Sequence, residues 1–239
     1  MLAIFKREMR SYFTTSIGYI FLASALAISA IVFSVSTVFS ETADTSVYFS
    51  GLIVVLMVFL PILTMKSFSE EKRTKTEQLL LTSPVSTTQM VLGKFFSAFA
   101  MLAIFLALSC VFLMPLGAYV AENASGVNSA LVLGNLMALL LVGMCFIAIG
   151  IFVSSLTENQ FAAIVITIVV LLLLFVINLF NSLIDSYAIR VVLDWLSIYA
   201  RYTMFTHGIF DIGALIYYIS LAGVFLFLTV RVFEARKYN

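Results

Sequence analysis

Charge is absent from six long stretches of the chain: residues 11–40, 45–65, 95–121, 123–157, 159–184 and 212–230 contain no Asp, Glu, Lys or Arg. Each is longer than the roughly 18 apolar residues that mark a membrane-crossing helix. A bilayer core offers no water to an open backbone, so such runs must close their hydrogen bonds internally as helices. The pattern predicts spans over about residues 17–39, 47–66, 92–118, 131–155, 160–181 and 212–231. The whole chain, residues 1–239, then reads as a single all-α membrane domain.

Composition agrees with this pattern. Of the 239 residues, 63% are hydrophobic and 10% are charged, with a mean hydropathy of +1.15, against about 25% charged in an ordinary soluble domain. The net charge of +1 hides a division between the two faces. With the N-terminus inside, eleven of the thirteen Lys and Arg fall on inner segments, and only Arg190 and Arg201 fall outside. The positive-inside rule therefore places both termini in the cytoplasm. The basic N-terminus precedes an apolar run too long for a signal peptide, and no A-x-A-like site closes it.

In MLAIFKREMRSYF, the positions of Leu2, Phe5, Met9, Tyr12 and Phe13 gather near one helical face, with Lys6, Arg7 and Arg10 away from it. That spacing suits a surface helix over residues 1–16 lying along the inner membrane face. A basic topogenic flank accounts for the charges equally well.

Several function classes lose support. Every Asp and Glu maps to a loop or a span edge, whereas ion-coupled transport needs ionisable groups within the membrane. Ser24, Ser29 and Ser109 have no base beside them, and the lone His207 has no neighbouring Cys or His, so neither intramembrane proteolysis nor zinc binding is expected. Cys110 and Cys145 lie within spans as small fillers. Asn123-Ala124-Ser125 fits a glycosylation pattern by chance. Small-residue pairs at Ala23/Ala27, Ala25/Ser29 and Ala103/Ala107 allow close helix packing, ordinarily within the chain. Pro61 and Pro115 stand near span ends, where a kink is tolerated.

One polar segment is too elaborate for a connector. Residues 70–94 read EEKRTKTEQLLLTSPVSTTQMVLGK. Thr74-x-x-Glu77 fits a capping box ahead of Leu79, Leu80 and Leu81, so a short helix is expected to begin near Lys75. Pro84 ends it, and Ser86-x-x-Gln89 forms a second box leading into the third span. Leucines on a capped, charged helix suggest a docking surface.

The same segment resembles the region between the second and third helices of type-two ATP-binding-cassette (ABC) export permeases, whose usual pattern is E-E-[KR]-x-x-G-T-x-E-x-L-L-x-x-P-V-S, then V-x-G-K. Glu70, Glu71, Thr76, Glu77, Leu79, Leu80, Pro84, Val85, Ser86, Gly93 and Lys94 match, while Lys75 stands where the family commonly has Gly. Phe5-Lys6-Arg7-Glu8 with Tyr12-Phe13 and Gly18-Tyr19 looks like the family's first helix and span, with Ser16 where Pro is frequent. Residues 205–211, FTHGIFD, with Ile216-Tyr217-Tyr218, resemble gliding-motility-type and nitrous-oxide-reductase-maturation-type permeases. There His207 stands for a common Arg and Gly213-Ala214 for a polar pair.

The resemblance implies an outer re-entrant helical hairpin over residues 182–211, bearing Arg190, Asp194, Trp195, Arg201, His207 and Asp211. The residues themselves also allow a solvated amphipathic loop helix, since Arg190, Asp194, Ser197 and Arg201 recur as a polar stripe. It further implies a cytoplasmic coupling segment over residues 67–90, in which Glu70, Glu71, Lys72, Thr76, Glu77, Leu79, Leu80 and Pro84 meet a separate ABC ATPase. The chain has no GxxxxGK[ST] loop, so it is expected not to be an enzyme; ATP and Mg would sit in that partner.

Two ATPase copies, a second permease subunit, identical or homologous, and the lipid bilayer complete the expected assembly, with an outer accessory protein possible and no nucleic acid. The implied activity is export of a large, amphiphilic or lipid-linked substrate across a prokaryotic plasma membrane. The alternatives are a mechanotransmission subunit that moves nothing itself, or an ATP-independent channel or scaffold.

Overall fold

A computed structural model describes residues 1–39, 45–75, 86–114, 129–181, 193, 197–206, 208 and 211–238, and among these every regular element is helical. The first helix, α1 (Leu2–Thr14), ends at Thr15, whose extended backbone, φ −95° and ψ 154°, turns the chain into α2 (Ser16–Phe33). Gly18 makes that corner possible: a Cβ there would stand 2.3 Å from the Tyr12 carbonyl oxygen. A wider π-helical turn, Ser34–Val38, continues α2. Then come α3 (Ser46–Thr64), the short α4 (Ser69–Arg73), α5 (Thr87–Ser109) with a 3₁₀ turn at Cys110–Leu113, and α6 (Ser129–Leu156). The chain ends with α7 (Gln160–Asn181), α8 (Ile198–Thr206) and α9 (Ile212–Tyr238).

Six of these helices, α2, α3, α5, α6, α7 and α9, are long and apolar enough to cross a membrane. They form around α6, which is buried along most of its length and packs against α3, α5, α7 and α9. Being apolar on every side is the mark of a helix enclosed by other helices. By contrast, α7 is the most hydropathic of the six and the least buried, so its apolar surface faces outward. Lipid solvates such a surface at no cost, unlike water.

Polar side chains cap several helix ends. The helix of the third span begins at Thr87, directly after the Ser86 of the capping box read from the sequence, whose hydroxyl accepts the Gln89 N–H at 3.3 Å. Asp211 does the same for α9, its carboxylate accepting the Gly213 N–H at 2.8 Å. The far end of α9 runs past the apolar stretch to Tyr238, held by Phe233 against Phe68 at 4.6 Å between ring centroids and by Arg236, which donates to the Ser155 carbonyl at 2.7 Å. Of the three small-residue pairs, Ala25/Ser29 is buried within the bundle, whereas Ala23/Ala27 lies exposed and Ala107 is exposed beside half-buried Ala103.

Lys75 is the one non-glycine residue among those described with positive φ, at 57°. That angle suits the Gly of the pattern this segment resembles: an L side chain in the left-handed region costs roughly 1–2 kcal/mol. Lys75→Gly is therefore expected to raise stability by about 1 kcal/mol, seen as a thermal midpoint about 2–4 °C higher.

Candidate functional site

The amphipathic α1 seats on the first turns of α5 through one stripe of its surface, Ile4, Glu8 and Tyr12, spaced four residues apart. Gly93 supplies the seat. A Cβ at that position would stand 2.9 Å from Ile4 Cγ2, so only a glycine lets the two helices come this close. One residue on, Lys94 reaches Glu8, and Tyr12 bonds to Ser97 a turn later. Burial, with the nearby Glu8 carboxylate adding, holds the Tyr12 phenol above its ordinary value and keeps it a neutral donor. Leu2 and Phe13 stay exposed beside this stripe, as a helix bordering lipid requires.

Lys94 is the centre of the arrangement. Its side chain is 3% exposed, and its Nζ lies 2.8 Å from Glu71 Oε1 and 3.4 Å from Glu8 Oε1, and donates to the Ser67 carbonyl. The Phe68 ring covers it at 4.8 Å. Arg7 closes the ring of charges, 2.7 Å from Glu8 and 3.2 Å from Glu71. Three elements distant in sequence thus converge on one ammonium group. A buried lysine demands such company, because an unpaired charge in this setting costs several kcal/mol.

The turn between α3 and α4 is pinned on its other side by α6. Ser154 Oγ accepts the N–H groups of Phe68 and Ser69, both at 3.1 Å, and donates to the Met65 carbonyl at 3.0 Å. Lys72 adds an ion pair to Glu158 at 3.4 Å and donates to the Leu156 carbonyl. Glu70 lies half exposed and pairs with Lys66 at 3.7 Å. Thr74 closes α4 by donating to the Glu70 carbonyl at 2.8 Å.

Of the residues expected to meet an ATPase, Glu70, Glu71 and Lys72 therefore share one short helix, with Glu71 turned inward onto Lys94. Thr76, Glu77, Leu79, Leu80 and Pro84, and with them the helix expected from Lys75, lie outside the described residues. Sequence reasoning matched Arg7, Glu8 and Lys94 to the family pattern without bringing them together in a site, and passed over Ser154. A signal was present: Lys94 is the one cation within the span expected over residues 92–118, directly ahead of the uncharged run 95–121, and such a residue needs a partner.

At the opposite end of the bundle, α8 is held against α6, α7 and α9. Tyr202 donates to Asn135 Oδ1 at 3.2 Å, Tyr218 donates to the Ile198 carbonyl at 2.8 Å, and Phe175 meets Tyr199 edge to face. Arg201 stacks over the Tyr217 ring at 4.3 Å. Ser197, read as part of a polar stripe with Arg190, Asp194 and Arg201, is buried and caps α8 by accepting the Ala200 N–H at 3.1 Å. Arg190, Asp194, Trp195 and His207, and with them most of the hairpin expected over residues 182–211, lie outside the described residues.

A family model described as ABC-2 family transporter protein matches residues 27–233. The chain belongs to this family. It is a multi-pass membrane permease of an ABC transporter, and family membership implies association with an ABC ATPase. A search of curated proteins finds no match. The matched region of this ABC-2 permease begins inside α2, beyond the α1 residues that complete the charge cluster.

Proposed function

We propose that this permease is driven by a separate ABC ATPase that docks at the end of the bundle where α1, α4 and the termini of α3, α6 and α9 gather, and that this end faces the cytoplasm. The observation that carries the reading is the anchorage of residues 67–75: ion pairs and hydroxyl bonds join them to α1, α5 and α6 at once. A loop serving only to connect two spans has no need of such ties. A push on residues 76–85 would reach three helices through this segment. Leu79 and Leu80 would enter a groove between the ATPase lobes, with Glu70 and Glu77 fixing register.

Two permease subunits and two ATPases would form the working unit in a prokaryotic plasma membrane. ATP binding in the partner would close the ATPase dimer and tilt the permease halves. The all-apolar spans favour a large, amphiphilic or lipid-linked cargo over an inorganic ion.

Co-expression with the cognate ATPase tests this. The wild-type complex is expected to co-purify and turn over ATP, whereas Glu77→Arg combined with Leu80→Asp loses the ATPase while still inserting. Assembly indifferent to both substitutions would overturn the docking reading.

A further inference from the structure

The anchorage of α4 is of two chemical kinds. Toward α6 its buried part consists of the Ser154 hydroxyl network, neutral and short-ranged, with the Lys72–Glu158 pair lying at the solvent-exposed rim. Toward α5 and α1 it consists of charge: Lys94 on α5, paired with Glu71 on α4 and Glu8 on α1. Hydroxyl bonds of the first kind cost little to bury, but the ionic cluster takes three charged groups out of water. Well-packed apolar side chains would hold the same junction at least as firmly. What an ionic tie adds over an apolar contact is direction and register, because Nζ must stay within bonding distance of two particular carboxylates. Gly93 brings α1 onto the same turn of α5, so whatever moves Lys94 also moves the seat of α1.

We propose that Lys94 is the positioning residue that passes displacement of residues 69–75 into α5 and the α1 seated on it, while Ser154 passes it separately into α6. The inference rests on the docking reading above. It divides the transmission route in two and assigns the α5 branch to one side chain that none of the ATPase-docking residues includes.

The test uses the permease with its ATPase in lipid nanodiscs, followed by amide hydrogen exchange without nucleotide and after trapping with ATP and orthovanadate. In the wild type, trapping is expected to change exchange both in residues 87–97 and around Ser154. The double substitution Glu8→Gln with Lys94→Met removes one charge of each sign and leaves the Arg7–Glu71 pair in place. It is expected to cut the nucleotide-dependent change in residues 87–97 at least fivefold while the change around Ser154 persists. Lys94→Arg, which keeps the charge, is expected to restore the α5 response.

A merely structural role would shift exchange equally with and without nucleotide and leave the difference between the two states intact; that result overturns the proposal. So does a double variant whose α5 response equals the wild type's. If the double variant fails to insert, Lys94→Gln, able to donate to the Ser67 carbonyl but carrying no charge, stands in its place under the same criteria. A wild-type complex that forms but shows no nucleotide-dependent change at α5 overturns the Lys94 branch alone, whereas a wild-type permease that fails to bind the ATPase overturns the docking reading beneath it.

Discussion

Lys94→Met alone is expected to destabilise the permease by roughly 3–5 kcal/mol, the cost of removing one member of a buried ion cluster and stranding its partners. Glu8 and Glu71 would then face each other with only half-exposed Arg7 between them. For a chain of this size the loss corresponds to a thermal midpoint lower by about 10 °C or more. Adding Glu8→Gln should recover most of it, since the stranded negative charge disappears with the lysine. Denaturant unfolding in bicelles measures both variants. With Glu8→Gln measured alone to complete the cycle, a double substitution whose loss equals the sum of the two single losses would show that Glu8 and Lys94 are not coupled.

The second large effect is expected at Gly150, where α6 crosses α3. A Cβ at that position would lie 2.2 Å from Thr64 Oγ1 and 3.0 Å from Thr64 Cβ. Both residues are buried, and a β-branched side chain cannot swing its Cβ aside, so Gly150→Ala must push the two helices apart. Overpacking of this kind costs about 1–3 kcal/mol. Here the upper part of the range is expected, because both positions are enclosed where the ends of α3 and α6 pack together and neither side chain has solvent to move into. Thr64→Gly introduced beside it exchanges the small residue between the helices and should return part of the loss. The hydroxyl it deletes bonds only within its own helix, to the Leu60 and Pro61 carbonyls. Unfolding of Gly150→Ala and of the pair decides the point: a second substitution that adds to the damage would rule out the steric account.

The spans were legible because lipid imposes a single requirement on them, and hydropathy reports it directly. Their ends were less so. The capping box at Ser86 was readable and set the start of α5, yet α4 escaped notice because five residues, SEEKR, carry no periodicity of their own. Its helical form depends on Ser154, some 85 residues away in sequence. The partnership of Lys94 was hidden for the same reason: Glu8 and Glu71 look like ordinary surface acids until the chain is folded. At the opposite end, the spacing of Ser197 with Arg201 suggested one polar stripe, but a hydroxyl can cap a helix as readily as it can face water, and tertiary burial chose the cap. The Gly expected at position 75 was legible as a departure from the family pattern; its physical meaning became visible only in the backbone angle.

The seat of α1 also bears on how the protein is made. Ile4 and Glu8 leave the ribosome before Gly93 and Lys94 exist, the Glu8 to Lys94 separation being 86 residues. At ribosomal rates of about 5–20 residues per second that interval is on the order of ten seconds. Throughout it α1 has no groove to enter and keeps an acid without its partner. The membrane interface can shelter its apolar side, but the helix reaches its final place only when the third span arrives. α1 is thus made early and docked late, and its docking reports that the helix carrying Lys94 has arrived.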